Sequence, residues 1–215
     1  MGRNPFNNDC LDEYCSIPNN LIITYHKYIG ENNWKWTKEK IELYDENDNP
    51  RWHEHPVFKN QVDVVAIPFD LNANILSYNE GFNIDSNYNL NITDTIYAIG
   101  FPYGYFVKSK EEPHGVWTAG RVATDPCLDI NINNKELPVF LMDSRTRKGQ
   151  SGSPVLYFSK DGWEVTPNGC LCMCAAPIFK EVGIYSGRMN KDSDLGYVWK
   201  WEVIKEILSG INNKK

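Results

Sequence analysis

Short apolar runs separated by turn residues are the feature of this sequence that most restricts its fold. The runs are rich in β-branched and aromatic residues, and clusters of Gly, Pro, Asn and Asp lie between them. Strands are predicted at 21–28, 41–44, 62–69, 95–101, 115–123, 139–142, 155–158, 163–165 and 181–187. Strands of this length and spacing predict an all-β barrel or sandwich.

Only the C-terminal end of the sequence has a helical pattern. Val198, Trp201, Ile204 and Leu208 follow a spacing of three or four residues, and Gly210 ends the run. The Asn-rich stretch 72–94 is expected to cross between two halves of the chain. The sequence therefore predicts a second half that ends in a helix.

Charge and hydropathy exclude several classes of function. The net charge of −6 gives no reason to expect nucleic acid or an anionic membrane as a partner. No apolar run approaches the roughly 20 residues of a transmembrane helix, and Met1–Phe6 lack the apolar segment of a signal peptide. We therefore expect a cytoplasmic protein with six free thiols and no cofactor; the sequence does not indicate an oligomeric state.

The segment Gly149–Val155 (GQSGSPV) places a serine between two glycines. Gly149 and Gly152 permit backbone turns that a β-carbon would oppose. Such a turn can expose the Ser151 hydroxyl and direct the N–H groups of Gly149 and Ser151 toward one point, where an oxyanion could be held. The segment is therefore a candidate catalytic loop. The alternative is an ordinary Gly/Ser surface loop.

Asp63 is a candidate for the acid that a catalytic serine requires. A serine hydroxyl needs a base to take its proton, and that base needs an orienting acid. Asp63 opens the apolar stretch Asp63–Pro68, and a carboxylate that leads into a buried strand must be hydrogen-bonded. A histidine partner would satisfy that demand. The alternative is a strand-start aspartate that bonds its own turn.

Several stretches together resemble the chymotrypsin-type (trypsin-like) serine peptidases, in a bacterial single-domain branch. The resemblance covers most of the chain from about residue 40 onward, at 43–46, 50–56, 62–68, 99–104, 143–155, 183–188 and 195–199. It implies two β-barrels: an incomplete first barrel in residues 1–90, and a second barrel with the C-terminal helix in residues 91–215. It also implies that a peptide substrate binds in the crevice between them and is cleaved by acyl transfer.

The resemblance also assigns roles to individual residues. Ser151 matches the nucleophile, Gly149 and Ser151 match the oxyanion donors, and Asp63 matches the triad acid. These assignments imply a serine endopeptidase with Ser151 as the attacking group.

Substrate-binding residues follow from the same resemblance. Tyr185, Ser186 and Gly187 match the strand that pairs with the substrate backbone and walls the specificity pocket. Arg145 falls where the family places the pocket floor, and a cation there would favour an acidic side chain in the substrate. The alternative is that Arg145 and Arg147 only brace the loop through carbonyl groups.

The triad histidine is not evident in the sequence. In the family it precedes the aspartate, so chain order excludes His114, and His53 and His55 lie too close before Asp63. His26 is the only positional candidate, yet it lacks the apolar strand and Thr/Asn turn that precede the family's histidine.

The first residues of the chain match a sequence that follows the catalytic histidine in this branch. The match is Gly2–Pro5 (GRNP). We therefore expect the histidine and the opening strands of the first barrel to lie before Met1. This chain alone is then expected to be nearly inactive and poorly stable.

Two groups of residues are candidates for metal binding. His53 and His55 alternate in an extended segment, but no third ligand lies nearby, so two exposed imidazoles are expected. Cys170, Cys172 and Cys174 could hold a soft metal, but structural zinc favours C-x₂-C spacing. A variable loop is expected there, and no metal site is predicted.

Two further functions stay open beside the serine endopeptidase. One is a pseudoprotease that binds peptide in the cleft between the barrels without cutting it. The other is a cysteine-rich metal-binding β-protein.

Overall fold

The computed structural model describes residues 18–31, 33–68, 89–109, 112–165, 168–173 and 177–212. Two compact units divide the chain: Met1–Tyr78 with Ile207–Lys215, and Asn79–Glu206. The elements are β1 (Asn20–Gly30), β2 (Asn33–Glu42), β3 (Thr95–Gly100), a 3₁₀ turn (Pro102–Gly104), β4 (Val107–Ser109), β5 (Glu112–His114), β6 (Val116–Val122), β7 (Ile130–Ile132), β8 (Lys135–Leu137), β9 (Val139–Asp143), β10 (Pro154–Ser159), β11 (Trp163–Val165), β12 (Leu171–Met173), β13 (Ile178–Arg188), β14 (Leu195–Lys200) and α1 (Trp201–Asn212).

The second unit is built on a closed antiparallel barrel. Its strands follow the order β10-β13-β14-β9-β6-β3, and β3 returns to pair with β10. Closure removes the unpaired edges that an open sheet would expose. The core contains Ile96, Ala98, Val122, Phe140, Met142, Val155, Val182, Tyr185 and Val198. The predicted all-β class, with a closed barrel and a C-terminal helix, is confirmed.

The described part of the first unit contains one two-stranded sheet and no closed barrel. In this sheet β1 pairs with β2 from Asn20↔Glu42 to Gly30↔Asn33. Outside this sheet, the strand pairing among the described residues of the unit consists of isolated bridges, one of which joins His53 to Ala66. The incomplete first barrel expected in residues 1–90 stays a prediction.

Three predicted elements differ from the structure. The strand expected at 41–44 is only the end of β2, which begins at Asn33 and ends at Glu42. The buried strand expected at 62–69 is wrong: residues 62–68 contribute only the Ala66 bridge, and Phe69 lies outside the described residues. The helix expected from Val198 begins instead at Trp201, because Leu195–Lys200 continue the barrel as β14. In that strand Val198 and Trp199 are fully buried.

Candidate active site

Ser151 lies in the loop that joins β9 to β10, residues 144–153, which we call the serine loop. Gly149 and Gly152 have φ values of +96° and +85°, so the chain reverses on each side of the serine. A β-carbon on Gly149 would clash with the carbonyl oxygen of Phe101, whereas a β-carbon on Gly152 would meet nothing within 4 Å. Glycine at 149 is thus required by both backbone conformation and space.

Hydrogen bonds to two carbonyls fix the peptide planes around Ser151. The Lys148 carbonyl accepts from the Tyr103 N–H at 2.6 Å, and the Gln150 carbonyl accepts from the Ser153 N–H at 3.0 Å. The C=O and N–H of a trans peptide point in opposite directions, so the N–H groups of Gly149 and Ser151 face away from these partners. Neither N–H donates a hydrogen bond to any residue that the structure describes. Two oriented, unused donors meet a requirement of an oxyanion hole.

Gln150 anchors the serine loop from inside the protein. Its side chain is 1% exposed. The Oε1 atom accepts from the Arg147 N–H at 2.6 Å, and the Nε2 atom donates to Thr118 Oγ1 on β6 at 2.7 Å. The residue between the two proposed oxyanion donors is therefore tied to the barrel wall by a neutral amide that is hydrogen-bonded at both its oxygen and its nitrogen.

Tyr185 on β13 holds the other end of the serine loop. Its carbonyl accepts from the Gly152 N–H at 2.7 Å, and its N–H donates to the Ser153 carbonyl at 2.9 Å. Its side chain lies in the barrel core and is hydrogen-bonded to the buried Thr146 hydroxyl. Burial raises the pKa of Tyr185, and the Thr146 hydrogen bond and the Arg188 charge partly oppose that rise.

The Ser151 hydroxyl is exposed and donates to the carbonyl of Ser186. Ser186 lies at a register shift of β13 against β14, between Tyr185 and Gly187. The serine loop is therefore hydrogen-bonded to β13, the strand that the resemblance assigns to substrate binding. The hydroxyl donates to a carbonyl, which is not a base.

The other predicted catalytic residues belong to the first unit. Asp63 is exposed and follows the buried Val62. His26 lies in β1, where its ring is 4.0 Å from that of Trp36. In the second unit the single histidine is His114 on β5, with an exposed side chain. Asp63 and His26 thus stay predictions.

Arg145 and Arg147 occupy different environments. The Arg145 side chain is 82% exposed, and its Nε atom lies 3.7 Å from Asp194 Oδ2. Arg147 donates to the Thr146 carbonyl at 2.9 Å. Arg147 therefore makes the carbonyl brace considered from the sequence, and the role of Arg145 in substrate selection stays a prediction.

The candidate metal-ligating residues are dispersed. No group of three or more His, Cys, Asp or Glu within the described ranges is arranged to hold a metal. The expected exposure of His53 and His55 is wrong: His53 is half-buried and His55 is buried, and the Nδ1 atom of His55 accepts from the N–H groups of Val57 and Phe58 at 3.2 and 3.1 Å. Cys170 is an exposed thiol and Cys172 is half-buried in β12; Cys174 lies outside the described residues.

Removal of the Tyr185 hydroxyl is expected to destabilise the site. Tyr185→Phe leaves the buried Thr146 hydroxyl without this partner, at a cost of about 1–3 kcal/mol at neutral pH. The folded-state pKa of Tyr185 is raised. The neutral Tyr185 side chain therefore contributes to the free energy of unfolding below the ordinary pKa of 10.0, and this contribution is lost as pH rises above that value. Urea unfolding from pH 7 to 11 should show a shallower alkaline decline for Tyr185→Phe. The exposed Tyr105→Phe serves as control, and equal slopes would contradict this prediction.

Comparison with known proteins assigns no family to this chain. No family model and no curated protein matches the chain. Among solved structures, it is similar to the crystal structure of Rv3671c from M. tuberculosis H37Rv, a serine-to-alanine mutant in an inactive form. The identity is 14%, the TM-score is 0.38, and the match covers 61% of this chain and 54% of that chain. A similarity of this size is too low to assign an activity. No helix in the described residues is long and apolar enough to cross a membrane.

Proposed function

We propose that the barrel unit carries a serine-peptidase site, which cleaves peptide bonds by acyl transfer through Ser151. The observation that supports this most is the pair of unengaged N–H groups of Gly149 and Ser151 beside an exposed serine hydroxyl. An ordinary Gly/Ser surface loop does not require fixed orientations of the Lys148–Gly149 and Gln150–Ser151 peptides. The substrate class is a protein or peptide; a cytoplasmic location, and the absence of nucleic-acid and membrane partners, stay predictions.

The chemistry follows from the residues around the hydroxyl. Ser151 Oγ attacks the scissile carbonyl, and the two N–H groups stabilise the negative charge that develops on its oxygen. The amine departs with the proton that the base took from Ser151, and water then hydrolyses the acyl-serine ester and restores the Ser151 hydroxyl. A base must take the serine proton, and the Ser186 carbonyl cannot do so. We infer that this base is an imidazole from outside the described part of the barrel unit, with Asp63 as the proposed acid that orients it.

A second candidate function is peptide binding without cleavage. It is favoured by the bond from the Ser151 hydroxyl to the Ser186 carbonyl, which leaves the nucleophile unactivated. Loss of the base from a serine triad lowers turnover by about 10⁶ because the three groups act together. Such a protein would keep the peptide-binding strand at Ser186 and Gly187 and lose hydrolysis.

A peptide library separates the two candidates. The wild-type chain and Ser151→Ala are incubated with a library of defined peptides, and products are identified by mass spectrometry. The peptidase proposal expects cleavage by the wild type when imidazole is added to supply the base, and expects Ser151→Ala to abolish it. Retention of peptides by both proteins, with cleavage by neither, would favour the non-catalytic alternative. Equal cleavage by both would refute Ser151 as the nucleophile.

A further inference from the structure

Four aromatic side chains are exposed within six consecutive residues beside the serine loop. In this segment, residues 101–106, which we call the aromatic loop, Phe101 is 45% exposed, Tyr103 63%, Tyr105 71% and Phe106 50%. Single exposed aromatics are common on protein surfaces, but such a concentration marks an interaction site. Tyrosine is suited to this role because its ring is apolar and its hydroxyl remains hydrated.

The aromatic loop contacts the residue that supplies one proposed oxyanion donor. The Tyr103 N–H donates to the Lys148 carbonyl at 2.6 Å, and the Phe101 carbonyl lies against the Cα of Gly149. Tyr103 has a φ of +54°, an unfavourable conformation for a bulky residue. Two turn hydrogen bonds of 2.8 Å hold it there: the Gly104 N–H donates to the Phe101 carbonyl, and the Tyr105 N–H donates to the Pro102 carbonyl. A non-glycine residue that is held at a positive φ beside a candidate site often contributes to the function of that site.

The serine loop is flanked by two different elements. Ser151 and Gly152 are hydrogen-bonded to Ser186 and Tyr185 on β13, whereas Lys148 is hydrogen-bonded to Tyr103. A carbonyl held by Gly149 and Ser151 belongs to a peptide that extends in both directions. If one arm lies along Ser186 and Gly187, the other arm passes Gly149 and reaches the aromatic loop.

We propose that the aromatic loop binds the arm of a peptide substrate that leaves after cleavage, and that it selects a large apolar side chain there. This inference rests on the proposed function, since it takes Ser151 and Gly149 as the centre of the reaction. Tyr103 and Tyr105 are the main contacts, because they are the most exposed of the four rings.

The test measures peptide selectivity without catalysis. Ser151→Ala protein is titrated by calorimetry with two tetrapeptide amides, Ala-Phe-Ala-Ala and Ala-Ser-Ala-Ala, as mimics of the leaving arm. We expect the Phe peptide to bind about tenfold more tightly or better, which is the effect of burying one aromatic side chain. Adding Tyr103→Asn and Tyr105→Ser should bring the ratio of the two affinities close to one. Asparagine is used at 103 because it tolerates a positive φ.

Matched variants separate this effect from general damage. Trp163→Ser and Leu171→Ser remove exposed apolar side chains from the β11–β12 hairpin and should keep the affinity ratio. No preference for Phe, or a ratio unchanged by the two tyrosine variants, would overturn the inference. Labelling of Ser151 by a fluorophosphonate tests the proposed function separately. Labelling without selectivity overturns only the aromatic-loop site, whereas tyrosine-dependent selectivity without labelling overturns only the hydrolysis.

Discussion

Gly149→Ala is expected to slow the labelling of Ser151 by a fluorophosphonate by about 10²–10³, the effect of losing one oxyanion donor. The φ of +96° is unfavourable for alanine, and the new β-carbon would clash with the Phe101 carbonyl. The clash cannot be relieved by a rotamer change because the backbone of residue 149 fixes the position of its β-carbon and the Phe101 oxygen is a backbone atom. Rotation of the Lys148–Gly149 peptide would relieve it, and this rotation turns the Gly149 N–H away from the reacting oxygen.

Gly152→Ala is the matched control for that change. Gly152 has a similar φ of +85°, but its β-carbon would enter open space. It should therefore cost about 1–2 kcal/mol of backbone strain and leave the labelling rate within a fewfold of wild type. The rates are compared at the same imidazole concentration after both variants are shown to fold by near-UV circular dichroism. Equal rates for Gly149→Ala and Gly152→Ala would contradict the assigned role of the Gly149 N–H.

Gln150→Ala is expected to lower the free energy of unfolding by about 2–4 kcal/mol, since two half-buried partners lose their hydrogen bonds and a buried side chain is removed. The two partners are the Arg147 N–H and the Thr118 hydroxyl. Urea unfolding followed by tryptophan fluorescence measures the change. The matched control is Gln61→Ala, which removes the same side chain from a half-buried position where it makes no hydrogen bond within the described residues. That variant should lie within about 1 kcal/mol of wild type.

Gln150→Glu keeps the size and shape of this side chain and allows it to carry a charge. The carboxylate can accept from both the Arg147 N–H and the Thr118 hydroxyl, but burial disfavours the ionised form and raises its folded-state pKa. Stability is therefore retained at low pH and lost as pH rises above about 4.3, the ordinary pKa of glutamate. A pH-independent effect equal to that of Gln150→Ala would contradict the buried neutral anchor.

The barrel could be predicted from the sequence because its signals are local. The alternation in β3 and the apolar run of β9 identify strands without knowledge of their partners. The spacing between Val198 and Trp201 fits a helix. The same spacing arises where a strand runs directly into a helix, as β14 runs into α1 at Trp201. The segment 62–68 has strand-like composition, but Pro68 has no N–H to donate to a ladder, and the segment makes only one bridge.

The candidate site could be predicted only in part. Gly149, Ser151 and Gly152 are recognisable because the turn needs glycine on each side of the serine. The roles of Gln150 and Tyr103 could not be predicted because they depend on distant partners: Thr118 lies 32 residues before Gln150, and Tyr103 contacts Lys148. Pairings of this kind are set by the closed barrel, which brings β3, β6 and β13 to the serine loop.

Fluorophosphonate labelling with and without added imidazole tests the central claim most directly, that Ser151 is a nucleophile beside a formed oxyanion site. The adduct is located by mass spectrometry in the wild type and in Ser151→Ala. We predict an adduct on Ser151, formed faster as imidazole supplies the base, and absent in Ser151→Ala. Rapid labelling without imidazole that is lost in His26→Ala would identify a base within the chain and support the same claim. No adduct on Ser151 at any imidazole concentration would contradict it.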